Sequence, residues 1–425
     1  MVITPPDPKR HAPDVALFFF IPFCKIKCTY CDFNAYANMA RVMEPYADAV
    51  VREIEQYAAR SSSALQADTP PRVKTIFFGG GTPSLVPAAH IEKILRACSE
   101  AFTLARNPEI TLEANPGTVD ADKLRALYAL GVNRLSLGVQ AFDDAVLRRL
   151  NRGHTVADAL EMYDLARRAG FDNLNLDLIY GLPLQTLDDW RATLQRALAL
   201  GTEHLSLYAL TVEAETGLEH QIRRGKYPAP DDDLAADMYE LAEEMLDAAG
   251  YEHYEISNWA RRVGVSGGAN ASPLQSRHNL TYWHNEPYLG FGAGAHSCFG
   301  GERFWNVLSP IDYIQRIERG ESPVAGGEEI SRDLEMSETM ILGLRLNEGI
   351  RFDAFLERYG EDAREKYAAQ LREVQELGLI EVTSPEGSLR NTPERSGGAS
   401  PFGAGVRLTP RGRLLSNEVF WRLLP

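Results

Sequence analysis

Between Leu17 and Leu210, short apolar runs alternate with longer segments whose apolar positions recur every three or four residues. That alternation predicts βα units built on a parallel sheet. The runs LFFFIPF from Leu17, TIFFGG from Thr75, EITLEAN from Glu109, RLSLGVQ from Arg134, NLNLDLIYG from Asn173 and HLSLYAL from His204 predict six strands. In the segment 88–102, Ile91, Ile94, Leu95, Cys98 and Phe102 mark one apolar helix face. Cys98 reads there as a small buried hydrophobe, and Cys298 is read in the same way. Periodicity leaves open a partial barrel or an open doubly wound sheet, and both put functional groups at the C-terminal ends of the strands. Cys24, Gly79 to Thr82, Glu113, Gln140 and Asp177 are expected at or just beyond those ends.

The pattern changes downstream. Residues 231–250 predict another helix, YEHYEISNWA from Tyr251 alternates like a strand, and 264–276 is a Gly/Ser-rich loop. Helical patterns at 335–344, 352–358 and 362–377 precede the strand-like LIEV and a final LTPRGRLLSNEVFWRLL. They predict a small helical, winged-helix-like domain, with 384–405 as a mobile wing insertion. The expected organisation is a flexible segment 1–14, a barrel 15–230, an extension 231–330 and a C-terminal domain 331–425.

The 425 residues carry 44 Lys+Arg against 59 Asp+Glu, a net charge of -15, which disfavours a phosphate backbone as partner. The C-terminal segment has no dense basic stripe, so a structural or docking role is expected there rather than DNA binding. No apolar run approaches the roughly 20 residues of a membrane span, and the start MVITPPDPKRHAPD lacks a signal peptide's apolar stretch. A cytoplasmic location is expected.

Of five cysteines, Cys24, Cys28 and Cys31 fall within eight residues as C-x3-C-x2-C after a strand. Three thiolates so close can converge on one small centre, as in iron-sulfur sites. Zinc would want a fourth ligand near a second pair, and the chain has no second CxxC. A cluster held by three ligands keeps one iron open to a small chelating molecule. The three glycines Gly79, Gly80 and Gly81 at a strand end let backbone approach such a ligand, although a glycine run alone is a weak motif.

Taken with G79-G80-G81-T82-P83, C24-K-I-K-C28-T-Y-C31 resembles the radical S-adenosylmethionine (SAM) enzymes. The wider set IPFC, CDF, FFGGGTPS, LEANPGT, RLSLGVQ, DLIYGLP, SLYALTVE, YEISN and HNLTYW resembles the oxygen-independent coproporphyrinogen dehydrogenase-like proteins, specifically their heme chaperone branch. The resemblance runs over nearly the whole chain from Leu17. It implies an α/β fold, a partial (β/α)6 radical SAM barrel, with a 4Fe-4S cluster on Cys24, Cys28 and Cys31 and SAM on the open iron. It assigns Gly80, Gly81, Thr82, Glu113, Gln140, Arg152 and Asp177 to SAM, one or two molecules of it, and Tyr30 to an aromatic neighbour. Relatives usually read L-Y-x-H-I-P-F-C before the cluster. Here Phe18 lacks the phenol hydroxyl and Phe20 replaces the imidazole.

In R277-H278-N279-L280-T281-Y282-W283, the H-N-x-x-Y-W pattern resembles the heme chaperone signature. It makes His278 the preferred heme ligand, with His284 and His296 in reserve. The implied function is a chaperone that binds heme and transfers it to an acceptor protein, with a flavodoxin or ferredoxin as electron donor and peripheral membrane association left open. The alternative is a coproporphyrinogen III dehydrogenase that oxidatively decarboxylates propionates. That branch typically carries a further cysteine where this chain has Phe33. A radical enzyme opening the heme ring would share the same core.

Overall fold

The computed structural model describes residues 14–64, 70–262, 274–383 and 404–425. Residues 1–13 of the expected flexible segment, most of the 264–276 loop and most of the 384–405 insertion lie outside the described residues, and Asp14 opens the first strand.

The six expected strands form as β1 (Asp14–Ile21), β4 (Arg72–Gly80), β5 (Thr103–Ala114), β6 (Arg134–Gln140), β7 (Leu174–Tyr180) and β8 (His204–Ala209). They lie side by side in that order, every neighbouring pair parallel. The short β2 (Phe23–Cys24) and β3 (Tyr36–Ala37) pair with each other inside the cysteine loop. Helices α1 (Met43–Ala64), α2 (Ala88–Ala101), α3 (Ala121–Ala129), α4 (Asp144–Arg149), α5 (Val156–Ala169) and α6 (Leu187–Leu200) fill the crossovers. Helix-covered parallel strands must be apolar over most of their length, and the RLSLGVQ strand is buried at every position before Gln140. Capping boxes at Thr155 and Thr186 start α5 and α6. This is the partial (β/α)6 barrel. Cys98 is fully buried on α2, as its spacing predicts, whereas Cys298 is only half-buried.

The sheet extends past both sides of the six strands. After α7 (Gly217–Arg223) and α8 (Asp232–Ala248), YEHYEISNWA makes two strands rather than one, the hairpin β9 (Tyr251–Glu255) and β10 (Asn258–Arg261) against β8. After α9 (Arg277–Trp283), β11 (Tyr288–Phe291) pairs with β1 as a seventh parallel strand. The glycine-rich YLGFGAGAHS hides it, because the loop reading of glycines overrides a strand of only four residues. Antiparallel β12 (His296–Phe299), β13 (Glu302–Asn306) and β14 (Val324–Glu329) complete the 12-stranded sheet, and α10 (Pro310–Glu318) packs on α1.

The C-terminal domain buries Met336, Met340, Phe352, Phe355, Leu371 and Val406 between its helices and a three-stranded antiparallel sheet. The helical pattern at 362–377 is two helices that meet at Tyr367. Arg413 reaches Glu243 of α8 at 2.5 Å and Arg303 of β13 reaches Glu338 at 2.7 Å, tying the domain to the barrel. Among the described residues no helix is long and apolar enough to cross a membrane.

One buried carboxyl joins α1 to the β11 side. Glu53 accepts hydrogen bonds from Tyr313 Oη at 2.6 Å, Asn306 Nδ2 at 2.6 Å and Gly292 N at 2.8 Å. Burial pushes its pKa up to about 7. Removing it leaves those donors orphaned, at about 1–3 kcal/mol each, so Glu53→Ala is expected to lower Tm sharply. The folded carboxyl holds a proton that the unfolded chain releases from about 4.5 upward. Its contribution is therefore full below 4.5 and is lost as pH rises through 7. Urea midpoints measured from pH 4.5 to 8 should show the wild type losing ground to Glu53→Gln as pH rises, and a pH-independent difference would contradict this.

Candidate functional site

The chain leaves β1 at Ile21 and makes a loop whose ends are stitched by β2 and β3, with Tyr36 N donating to Pro22 O at 2.7 Å. Within the loop, Cys31 N donates to Cys28 O at 3.3 Å, Thr29 N to Leu150 O at the end of α4 at 3.1 Å, and Leu218 N of α7 to Thr29 O at 2.7 Å. The cysteine loop is thereby tied to two helices, α4 and α7. From the other side comes the glycine turn after β4. Gly81 N donates to Ile21 O at 2.9 Å and Thr82 N to Phe23 O at 2.7 Å, which brings two backbones too close for a side chain. A Cβ on Gly81 would stand 2.7 Å from Phe23 O and 2.9 Å from Ile21 O.

These elements enclose a cavity of about 370 Å³ at the C-terminal ends of the strands. Cys24, Cys28, Cys31, Tyr30, Gly80, Gly81, Thr82, Glu113, Gln140, Arg152 and Asp177 all line it. Phe18 and His278 do not. Phe18 stacks on Phe77 at 5.9 Å and tilts against His278 at 6.1 Å. His278 is 1% exposed, with Nδ1 2.8 Å from Thr75 Oγ1 and Nε2 3.0 Å from Tyr282 Oη, so both ring nitrogens are engaged. Burial, with a smaller effect of Arg134, pushes its pKa down to about 3. In this arrangement the imidazole is a neutral core group.

Asp177 stands in the middle of β7, not at or just beyond its end as expected. Its carboxylate is reached by Ser136 Oγ at 3.0 Å and Asn175 Nδ2 at 2.8 Å. Gly80 N donates to Glu113 Oε2 at 3.1 Å, from a left-handed backbone with φ of 108°. Glu113 Oε1 has no hydrogen-bond partner among the described residues. Burial and then the charge of Asp177 push Glu113 up to about 8, and burial raises Asp177 as well. Two acids held this way form a site short of positive charge.

Arg152 ties the cysteine loop to two strands. Its Nη1 lies 3.3 Å from Cys28 Sγ and 3.4 Å from Tyr30 Oη, and Nη2 donates to Asn115 Oδ1 and Gly138 O, each at 2.6 Å. A Cβ on Gly138 would collide with Asn115 and come within 3.1 Å of that Nη2. Asn115 Nδ2 donates in turn to Thr82 Oγ1 at 2.9 Å, and Thr82 Oγ1 lies 3.5 Å from Cys24 Sγ. Sequence reasoning missed Asn115, Ser136, Gly138 and Tyr208, although all line the same cavity. Asn115 ends EITLEAN beside Glu113. Ser136 is one of the inward positions of RLSLGVQ, and a polar residue inside an apolar strand was the available signal.

The donor set suits a polynuclear cluster. Burial pushes the thiols of Cys24 and Cys31 up, the latter to about 11, so thiolates here need a cationic partner such as a metal centre supplies. Among the described residues no three His, Cys, Asp or Glu side chains close on a single ion. Thiolates that each bind a different iron need not close so tightly. The unbonded Glu113 oxygen and the glycine-lined wall fit a ligand that brings an amino group.

Gly81→Ala is expected to displace the cysteine loop, because its new methyl meets backbone atoms rather than a movable side chain. Anaerobic reconstitution should then incorporate much less iron and sulfide than the wild type while the far-UV circular dichroism spectrum is kept. Full incorporation would show that the close approach is dispensable.

Comparison with known proteins agrees with this geometry. Residues 18–197 match the model of the Radical SAM superfamily and residues 330–394 that of the HemN C-terminal domain. Proteins named heme chaperone HemW are similar along almost the whole chain. The Bacillus subtilis protein is 35% identical over 408 residues, covering 96% of this chain and 98% of its own. The Mycobacterium tuberculosis protein is 35% identical over 411 residues, covering 96% and 94%. The solved structure of coproporphyrinogen III oxidase (HemN) from Escherichia coli superposes with a TM-score of 0.79 over 98% of this chain and 91% of that one, at 24% identity, a likeness of fold. The three cysteines on a partial barrel, the HemN-type C-terminal domain and a full-length match to these relatives establish that the chain belongs to the HemW family of radical SAM proteins.

Proposed function

We propose that the protein is a heme chaperone, binding heme and handing it to an acceptor protein, and that it carries a 4Fe-4S cluster on Cys24, Cys28 and Cys31 with SAM at the open iron. The observation that carries this reading is the full-length similarity to proteins named heme chaperone. The cluster loop adds to it by presenting exposed Phe33 where the decarboxylating branch typically has a further cysteine. When bound, the cluster and SAM would supply one-electron chemistry at the sulfonium.

The chain's own residues have separable tasks. Arg152 places a cation against Cys28, and a charge-assisted hydrogen bond to a thiolate favours the electron-rich state of a centre. Glu113 offers a free carboxyl oxygen to an ammonium, and Asp177, fixed by Ser136 and Asn175, offers its acceptors to hydroxyls. Tyr30 closes the apolar side next to Cys31. A flavodoxin- or ferredoxin-like protein would be the electron donor, and a cytoplasmic location agrees with a reduced thiol set.

Anaerobically reconstituted protein is expected to bind heme stoichiometrically and, given reductant and SAM, to leave coproporphyrinogen III unchanged. Conversion to protoporphyrinogen IX would establish the dehydrogenase instead. SAM affinity should rise with pH up to about 8 as Glu113 ionises. The ratio of wild-type to Glu113→Gln affinity, in which titration of the ligand itself cancels, should show that rise, and a flat ratio would remove Glu113 from ammonium binding. Arg152→Met should lower the cluster's reduction potential in an EPR-monitored titration, while an unchanged potential would limit Arg152 to holding the loop.

A further inference from the structure

The barrel encloses a charged side chain that has no part in the cavity wall. Residues two apart on a strand share a face. Glu113 and Ser136 stand opposite each other on β5 and β6 and line the cavity. Thr111 and Arg134, opposite each other one pair nearer the N-terminal ends of those strands, therefore form the layer beneath them. Neither lines the cavity itself. Phe77 of β4, whose ring meets His278 at 5.0 Å, stands opposite Thr111 on its other side.

Arg134 is 2% exposed, and both its Nε and the Thr111 hydroxyl are buried without a hydrogen-bond partner. Among the described residues the guanidinium donates no hydrogen bond and forms no ion pair within 4.0 Å. Neighbouring polar groups are committed elsewhere. Asp177 is held by Ser136 and Asn175, and Glu113 by Gly80 N. His204 has Asn175 Oδ1 at 2.7 Å and Tyr254 Oη at 2.8 Å on its two nitrogens. Burial holds Glu113 up at about 8, so at neutral pH it carries little of the charge that would balance Arg134.

A buried cation with its donors unmet is costly, and such a group calls for a partner from outside the chain. Water can meet the donors but not the charge. An anion meets both, and the Thr111 hydroxyl beside the guanidinium adds a further donor to it.

We infer that Arg134 and Thr111 form a binding site for a small monovalent anion, of halide or carboxylate size, in the layer beneath the cavity. The occupant is small because the layer lies between the polar pairs of the cavity wall and the ring of Phe77. It is monovalent because it answers one guanidinium. Bound there, it would screen the Arg134 charge from Glu113 and Asp177, the two acids that face the cavity. The inference stands apart from the heme chaperone reading and does not depend on it.

The test compares the Tm of the full-length chain in sodium bromide, sodium formate and sodium gluconate at equal ionic strength, gluconate being too bulky for the site. In bromide or formate the wild type should show a saturable rise that gluconate does not give. Arg134→Met should lose the rise, and in gluconate it should be at least as stable as the wild type because the unpaired charge is gone. Thr111→Val, which keeps the volume, should raise the half-saturating concentration roughly threefold, and it carries the test if Arg134→Met fails to fold. Crystals soaked in bromide or formate should show the anion beside the Arg134 guanidinium, bromide by its anomalous signal. A wild-type Tm that rises no more in bromide and formate than in gluconate, a response kept in Arg134→Met, or water alone beside the guanidinium in both soaks would each overturn the inference.

Discussion

The site depends on one close contact between backbones. Gly81 and Thr82 donate to the carbonyls of Ile21 and Phe23, so the end of β4 lies directly against the segment that presents Cys24. Each such bond contributes only about 0.5–1.5 kcal/mol net, and its importance is positional. It sets Gly80, and through Gly80 the Glu113 carboxyl, in a common frame with the cysteines. Arg152 supplies the second fastening, linking Cys28 and Tyr30 to Asn115 and Gly138 on two further strand ends.

Much of this was legible in the sequence because it is local. Six apolar runs separated by amphipathic segments give the parallel core, and C-x3-C-x2-C after LFFFIPF puts three sulfurs on one loop. What was hidden depends on register, which periodicity does not encode. Nothing in YLGFGAGAHS announces that it pairs parallel with β1. The pairing of Glu113 with Ser136, and of Asp177 with Ser206, brings polar side chains of four strands together, and no spacing rule anticipates it. His278 has contacts that its motif does not encode. Its motif suggests a ligand, while Thr75, more than two hundred residues earlier, and Tyr282, one turn later, occupy both of its nitrogens.

The cavity is not isolated from the rest of the molecule. Asp177 is bonded by Asn175, whose Oδ1 accepts from Ser206 Oγ at 3.1 Å, and Ser206 Oγ also lies 2.5 Å from Asn258 Oδ1. Asn258 donates to buried Glu255, which faces Arg345 at 3.7 Å. Arg345 lies over the Trp283 ring at 4.2 Å. A polar chain therefore joins the cavity wall to the junction of α9 with the C-terminal domain, although Glu255 Oε2, Arg345 Nε and Trp283 Nε1 have no hydrogen-bond partner among the described residues.

The central claim is that three thiolates hold a cluster with one coordination position open. It is tested most directly by anaerobic reconstitution with iron and sulfide, chemical analysis of both, and EPR of the reduced protein before and after addition of SAM. The account predicts cluster-level iron with matching inorganic sulfide, lost in Cys28→Ala, and a change in the EPR signal when SAM binds. Protein that takes up no inorganic sulfide, or holds a cluster whose signal SAM leaves unaltered, would contradict it.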